Sequence, residues 1–265
     1  MSLAAYAQYW KLNFLTMVEY RANFIMWFVF TIIYHATAIV ALWVTLTRFP
    51  SMNGWNFKQM AFLYALWMLA HETHNTFFST VRTVPEYIRE GRFDRFLVRP
   101  LNTLFQLITV PAQVWPDGLI IALVYFVGAT IYSGVRVDTT FLIAVPFIIA
   151  GGALIDLGIS LAIATVAFWT VKTDALQWAV MSLEQEFTRY PISIYSRSVQ
   201  IALAFVFPFA FMNYFPATFL LHKSYAALAL SPAVGLLTPV IGLAWLAAAY
   251  AFWSFGLQHY KGTGS

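Results

Sequence analysis

Four residues in one largely apolar stretch carry side chains capable of chemistry: His71, Glu72, His74 and Asn75, in the run H-E-T-H-N. A zinc hydrolase places two histidines at i, i+4 in H-E-x-x-H, so that both rings share one helical face and the glutamate serves as base. Here the histidines stand at i, i+3, one residue short, and no third ligand is evident in the sequence. Two other readings stay open. The cluster could be a hydrogen-bonded polar patch at the inner mouth of a span, or a set of substrate and proton contacts on a translocation path, because ionisable groups within membrane helices commonly face a cavity. Asp156, flanked by Gly152 and Gly158, is the deepest lone carboxylate and joins the same candidate path, with His35 or Arg136 as possible partners. The chain has no cysteine, which removes disulfides, thiolate catalysis and Cys-held metals.

The elements that must hold these groups are membrane helices. Of 265 residues, 61% are hydrophobic and only 10% charged, against about 25% charged in a soluble domain. Uncharged runs cover 23–47, 60–70, 118–134, 139–155 and 198–221. A helix needs about 20 apolar residues to cross a bilayer, and no alternation recurs at barrel spacing. The expected fold class is therefore an all-α polytopic membrane protein forming a single transmembrane domain over 1–265. Its six transmembrane helices are placed near 23–46, 60–81, 115–133, 139–171, 198–212 and 233–255.

Several segments do not fit simple crossings. Residues 1–21 are too polar to span, yet Leu3, Tyr6, Trp10, Phe14 and Met17 recur on one helical face, predicting an amphipathic helix along the membrane. Pro111 and Pro116 break 101–134, leaving 101–112 as an entry segment before the third span. Residues 174–190 predict an amphipathic, water-facing helix ending at Pro191. Residues 213–232 are apolar but punctuated by Pro216, His222, Lys223 and Pro232, so their helices are too short to cross and read as a re-entrant pair. Gly158 with Ala162 and Ser160 with Ala164 give small-residue spacing suited to close helix contact, assigned to packing within the chain ahead of a dimer seam.

The distribution of positive charge fixes an expected orientation. With both termini cytoplasmic, only Arg48, Lys58, Arg136 and Lys223 of the 15 Lys and Arg fall outside, as the positive-inside rule demands. The net charge of +4 is thus read as orientation and not as a footprint for nucleic acid. No nucleotide-binding loop G-x-x-x-x-G-K-[ST] is present, since none of the five lysines follows a glycine. The chain is therefore not expected to be an enzyme or to hold a cofactor; any ATP and Mg would be bound by another chain.

Residues 82–100 hold eight of the 26 Asp, Glu, Lys and Arg residues. Thr83 with Glu86 fits a capping box, Pro85 suits the first helical turn, and Gly91 suits the stop. A short helix over 84–90 follows, presenting Val84, Tyr87 and Ile88 on one side and Glu86, Arg89 and Glu90 on the other. Two turns are marginal alone in water, so such a helix implies a docking partner; on the residues alone a solvated loop obeying the positive-inside rule stays equally open.

The run EGRFDRFLVRPLN, extending through Asp94 and Arg95, resembles the segment after the second span in permease subunits of bacterial type-2 ATP-binding-cassette (ABC) exporters. The resemblance continues through AFWT, RYPISIY, FPFAFMNYFPATFLL and the tail FGLQHYKGTGS, and so covers most of the chain. It implies a multi-pass protein of the bacterial inner membrane. It also implies a coupling helix seated in a cleft of an ABC ATPase through Thr83, Pro85, Glu86, Tyr87, Arg89, Glu90, Gly91, Arg92, Asp94 and Arg95. On the same resemblance, 1–21 would be a connecting helix and 213–232 would close the outward exit. Two permeases, identical or different, would work with two ATPase copies to export an amphipathic or lipid-like cargo. Arg89, Arg92 and Arg95 are expected to meet acidic groups of the ATPase, while Glu86 and Glu90 lock the helix internally. The rival reading is a secondary transporter or channel that needs no partner and uses Glu72 and Asp156 as proton or ion sites; the inverted repeats many such folds carry are not seen.

Overall fold

The computed structural model describes residues 21–49, 51–109, 116–170, 172–224 and 227–260. The expected interfacial helix before Arg21, the break at Pro111 and the tail 261–265 lie outside these residues. Among the described residues the elements are helical: α1 (Arg21–Arg48), α2 (Phe57–Phe78), α3 (Val84–Arg89), α4 (Asp94–Leu97), α5 (Thr103–Thr109), α6 (Asp117–Ser133), α7 (Thr139–Thr170), α8 (Asp174–Thr188), α9 (Arg197–Ile201), α10 (Tyr214–Leu220) and α11 (Thr238–His259). Three described helices are long and apolar enough to cross a membrane: Arg21–Arg48, Thr139–Thr170 and Pro232–His259, the last being α11 with its leading 3-10 turn.

α2 is the central post. Its start is fixed by a reciprocal cap, in which the Gln59 amide donates to Asn56 Oδ1 at 3.1 Å and the Asn56 amide donates to Gln59 Oε1 at 3.4 Å. From Met60 to Glu72 every side chain is buried, packed among α6, α7 and the short helices near Tyr214. α1 is the opposite case. Only His35, Ala38, Leu42 and Leu46 are buried, a stripe at steps of three and four, while Ile25, Phe30, Ile33 and Trp43 stand bare. Such a continuous apolar surface fits hydrocarbon, not water.

The tightest helix pair is α7 with α11. A Cβ on Gly242 would stand 2.4 Å from the carbonyl oxygen of Gly151, one on Gly151 would meet the Pro239 backbone at 2.7 Å, and one on Gly158 would meet Trp245 at 2.6 Å. Between membrane helices there is little hydrophobic gain, so close backbone approach and dispersion hold the contact. Gly151 and Gly158 on α7 therefore serve packing against α11 within the chain.

At one end of the bundle Asn53 and Gly54, both at positive φ, close a tight turn in which Met52 and Trp55 exchange backbone hydrogen bonds at 2.9 Å. This is the conformation an Asn-Gly pair favours. Lys223 caps that end by donating to the Gly54 carbonyl and to Gln59 Oε1, both at 2.7 Å, with its ammonium 4.5 Å from the Trp55 ring centre. Partial burial pulls the Lys223 ammonium below its usual titration range.

Two expectations change. The helix at 174–190 is not simply water-facing: α8 buries Val180, Glu184 and Thr188 at four-residue steps. Asp174 stands beside Arg89 near α3, while the Thr188 carbonyl accepts from Asn213 and the Ser193 carbonyl from Asn53 at the turn end. α8, about 22 Å long at 1.5 Å per residue, thus starts beside α3 and leads toward the turn end, which the chain reaches only after α8 at Ser193. In turn, the fifth span expected at 198–212, which contains Pro208, is broken there, for Arg197–Val206 and Pro208–Leu220 meet at 74°. Pro208 lacks an amide donor and pushes Phe207 to extended backbone (φ −121°, ψ 97°). The following segment folds back on itself, with the Ala227 amide donating to Tyr214 Oη at 2.9 Å and Gly235 seated against the Phe215 carbonyl.

Candidate functional site

The polar run of α2 meets carboxylates from two other helices. His71 Nδ1 lies 2.7 Å from Asp156 Oδ2 on α7 and 3.2 Å from Glu184 Oε1 on α8. His74 Nδ1 lies 3.3 Å from the same Asp156 oxygen. Arg82, on the 3-10 turn Ser79–Thr83 that continues α2, closes the cluster: it reaches Asp156 Oδ1 at 3.5 Å, His74 Nδ1 at 3.2 Å, Asn75 Oδ1 at 2.8 Å and Ser160 Oγ at 3.4 Å. A guanidinium only donates, so His74 Nδ1 is the acceptor in that contact. Glu184 Oε1 also accepts from Trp67 Nε1 at 2.8 Å. His71, His74, Asp156 and Glu184 are all buried.

Asp156 is therefore not a lone carboxylate, and its partners are neither His35 nor Arg136. His35 instead meets Glu72, with Nε2 3.3 Å from Oε1 and Nδ1 3.0 Å from Tyr64 Oη. Asn75 donates to the other Glu72 oxygen at 3.4 Å. That oxygen sits where a Cβ on Gly118 would be, 2.1 Å away, so the glycine at the start of α6 is what admits the carboxylate. Asp117, next to it, accepts from Thr31 at 2.8 Å.

Beside this network opens a cavity of about 450 Å³ between α1, α2, α6 and α8. Trp27, Phe30, Tyr34 and Trp178 give it aromatic walls, and His71, Glu72, Asn75, Arg82 and Asp117 supply polar groups. All five path residues expected from the sequence thus converge, three of them lining the cavity. Sequence reasoning missed Glu184, Arg82 as a cluster member, and Asp117. Glu184 had a faint signal, the four-residue spacing with Val180 and Thr188 that marks the inner face of α8.

The expected coupling segment adjoins the cluster. The Thr83 capping box does not form: Thr83 Oγ1 donates to the Thr80 carbonyl at 2.8 Å, and no side chain caps α3. The 3-10 turn runs straight into α3, so preceding carbonyls already serve its first amides, as Val81 does for Val84. Val84, Pro85 and Ile88 are buried in a core with Leu157, Leu161 and Ala164 of α7, and do not face outward as expected. The exposed groups are Glu86, Arg89, Glu90, Arg92 and Arg95. Arg92 pairs with Glu90 and lies 3.8 Å from Glu86, locking the turn internally as the charge pattern suggested. Arg92 and Arg95 cover the Tyr87 ring at 4.9 and 5.2 Å.

Gly91, at φ +66°, reverses the chain after α3 and lets the Arg92 and Phe93 amides donate to the Tyr87 carbonyl. Phe93 then plugs a ring cluster with Phe168, Trp253 and Tyr260, while the half-buried Asp94 accepts from Tyr260 Oη at 2.9 Å. The exposed charges therefore ride on a rod anchored to α2, α7 and α11 together. Against known proteins, a family model described as ABC-2 family transporter protein matches residues 32–264. Neither the curated proteins nor the solved structures gave a match.

Proposed function

We propose, from the premise that the chain belongs to the ABC-2 family of transporter proteins, that it is the membrane permease of an ATP-driven exporter powered by separate ATPase chains. The family is a membrane component that works with an ABC ATPase. Two permeases and two ATPases form the working unit in a bacterial inner membrane, with both termini cytoplasmic. α3 is the coupling helix, Glu86, Arg89, Glu90, Arg92 and Arg95 offering its docking charges. The segment 213–232 closes the outward side. ATP and Mg belong to the partner. The cargo is amphipathic, taken up in the aromatic cavity beside His71, Glu72 and Asn75.

The observation that carries this reading is the unbroken path from α3 to the cavity. Consecutive helical turns, bent at Phe78 (φ −132°, ψ 7°), join α2 to α3 through Ser79–Thr83, and Arg82 among them touches Asp156 and Asn75. A tilt of the exposed charges must then reposition the polar groups at the cavity, which is rigid-body transmission of the kind alternating access requires. The partner-independent alternative, with Glu72 and Asp156 as proton sites, is favoured by their burial but leaves the exposed charges of α3 without a task.

Pull-down from detergent tests the reading. An ATPase should co-purify with the wild-type chain and be lost when Arg89→Glu is combined with Arg92→Glu. Proton-driven uptake by the purified chain alone, with no ATPase, would overturn it.

A further inference from the structure

We propose that His71, Asp156 and Glu184 form a divalent transition-metal site, a reading independent of the cargo and of the ATPase. Their ligand atoms, one imidazole nitrogen and two carboxylate oxygens, lie within 4.8 Å of one another and come from α2, α7 and α8. The 3.2 Å separation of His71 Nδ1 from Glu184 suits neighbouring ligands on an ion with bonds of about 2.0–2.2 Å, and the 2.7 Å separation from Asp156 would open by roughly half an ångström on loading.

The second observation is an unmet demand. His71 Nδ1 and Asp156 Oδ2 are buried and, although close, make no aligned hydrogen bond with any group. His74 cannot relieve Asp156, since its Nδ1 is taken as acceptor by Arg82. One ring nitrogen therefore faces two carboxylate oxygens, and a cation among the three satisfies all of them. Trp67 Nε1, donating to Glu184 Oε1, supplies the outer-shell support such sites use.

Access exists on two sides. His71 also lines the 450 Å³ cavity, and a water-sized void of about 10 Å³ lies against Asp156 and Glu184 on the α3 side. These leave room for water to complete the coordination. Mixed imidazole and carboxylate ligation selects Zn²⁺ or Mn²⁺ over Ca²⁺ or Mg²⁺. A bound ion would pin three helices at the level of Arg82, so the site is a clamp on the moving parts and not a hydrolytic centre.

The test uses the tag-free full chain in lipid nanodiscs, stripped with chelator, reloaded with Zn²⁺ and desalted before elemental counting. One Zn²⁺ per chain should be retained, and Zn²⁺ should raise the wild-type unfolding midpoint. His71→Asn and Glu184→Gln should each weaken binding about ten-fold or more and abolish the midpoint shift, while Glu72→Gln keeps both. A wild-type chain that retains no Zn²⁺ overturns the site. So does Zn²⁺ retained equally by folded Glu184→Gln. If that variant does not fold, the wild-type count and midpoint shift decide.

Discussion

With α3 as the proposed coupling helix, Phe93→Ala is expected to separate binding of the ATPase from transmission of its motion. Phe93 is fully buried where α3 turns back at Gly91, with ring centres of Phe168, Trp253 and Tyr260 at 5.3, 6.2 and 5.2 Å. Truncating a core phenylalanine costs about 3–5 kcal/mol, the spread reflecting how far the surroundings collapse. Collapse here is restrained, because α7 and α11 already pack closely beside the ring: a Cβ on Gly256 would stand 2.7 Å from Thr165 and 2.8 Å from Phe168. Edge-to-face ring contacts worth about 0.5–1.5 kcal/mol each are lost as well, though part of that is already counted in the truncation. A cost near the middle of the range, about 4 kcal/mol, is expected. Phe93→Leu, which keeps most of the volume, should cost less than about 1.5 kcal/mol. The unfolding midpoint, followed by tryptophan fluorescence with Trp253 beside the lesion, measures the first quantity. In vesicles holding both chains, Phe93→Ala should still bind the ATPase through its exposed arginines and allow ATP turnover, yet export little. Phe93→Leu should export. If Phe93→Ala shifts the midpoint no more than Phe93→Leu, the plug does not anchor α3. If it exports normally, the rod does not transmit the stroke.

Two further outcomes follow from the packing and the buried charges. Gly242→Ala brings a methyl group within 2.4 Å of the Gly151 carbonyl oxygen, a backbone atom that cannot step aside, so α11 must shift; a loss of about 1–3 kcal/mol is expected, while Gly128→Ala, with open space around its Cβ position, should be neutral in the same melt. Arg82→Met removes the donor nearest Asp156 Oδ1 while His71 stays 2.7 Å from Oδ2, and should cost about 1–3 kcal/mol by leaving one carboxylate oxygen short of a partner. Adding Asp156→Asn should return part of the loss, and a double-mutant cycle with no coupling energy would show that the 3.5 Å contact carries no weight.

What could be read directly from the chain was whatever local chemistry dictates. Long uncharged runs imply helices in lipid, and α1, α6 and α7 sit where those runs lie. Pro85 and Gly91 bound a short charged helix because proline fits a first turn and glycine the left-handed exit, and α3 ends as that pair requires. His71, Glu72, His74 and Asn75 were conspicuous as polar groups in an apolar setting, and their spacing alone put them on adjoining faces of one helix.

Tertiary structure decided the rest, because it depends on which helices become neighbours. Glu184 sits 113 residues beyond His71 in the chain, and nothing local announces that α8 turns its four-residue stripe toward α2. The capping box at Thr83 was a sound local inference, overruled when the helical turn before it supplied the same hydrogen bonds. The face of Val84 and Ile88 looked available to a partner until α7 covered it. Composition and periodicity reveal which side chains want burial or pairing; only the assembled bundle assigns the partner, since a buried charge is satisfied by whatever the fold brings within about 3 Å.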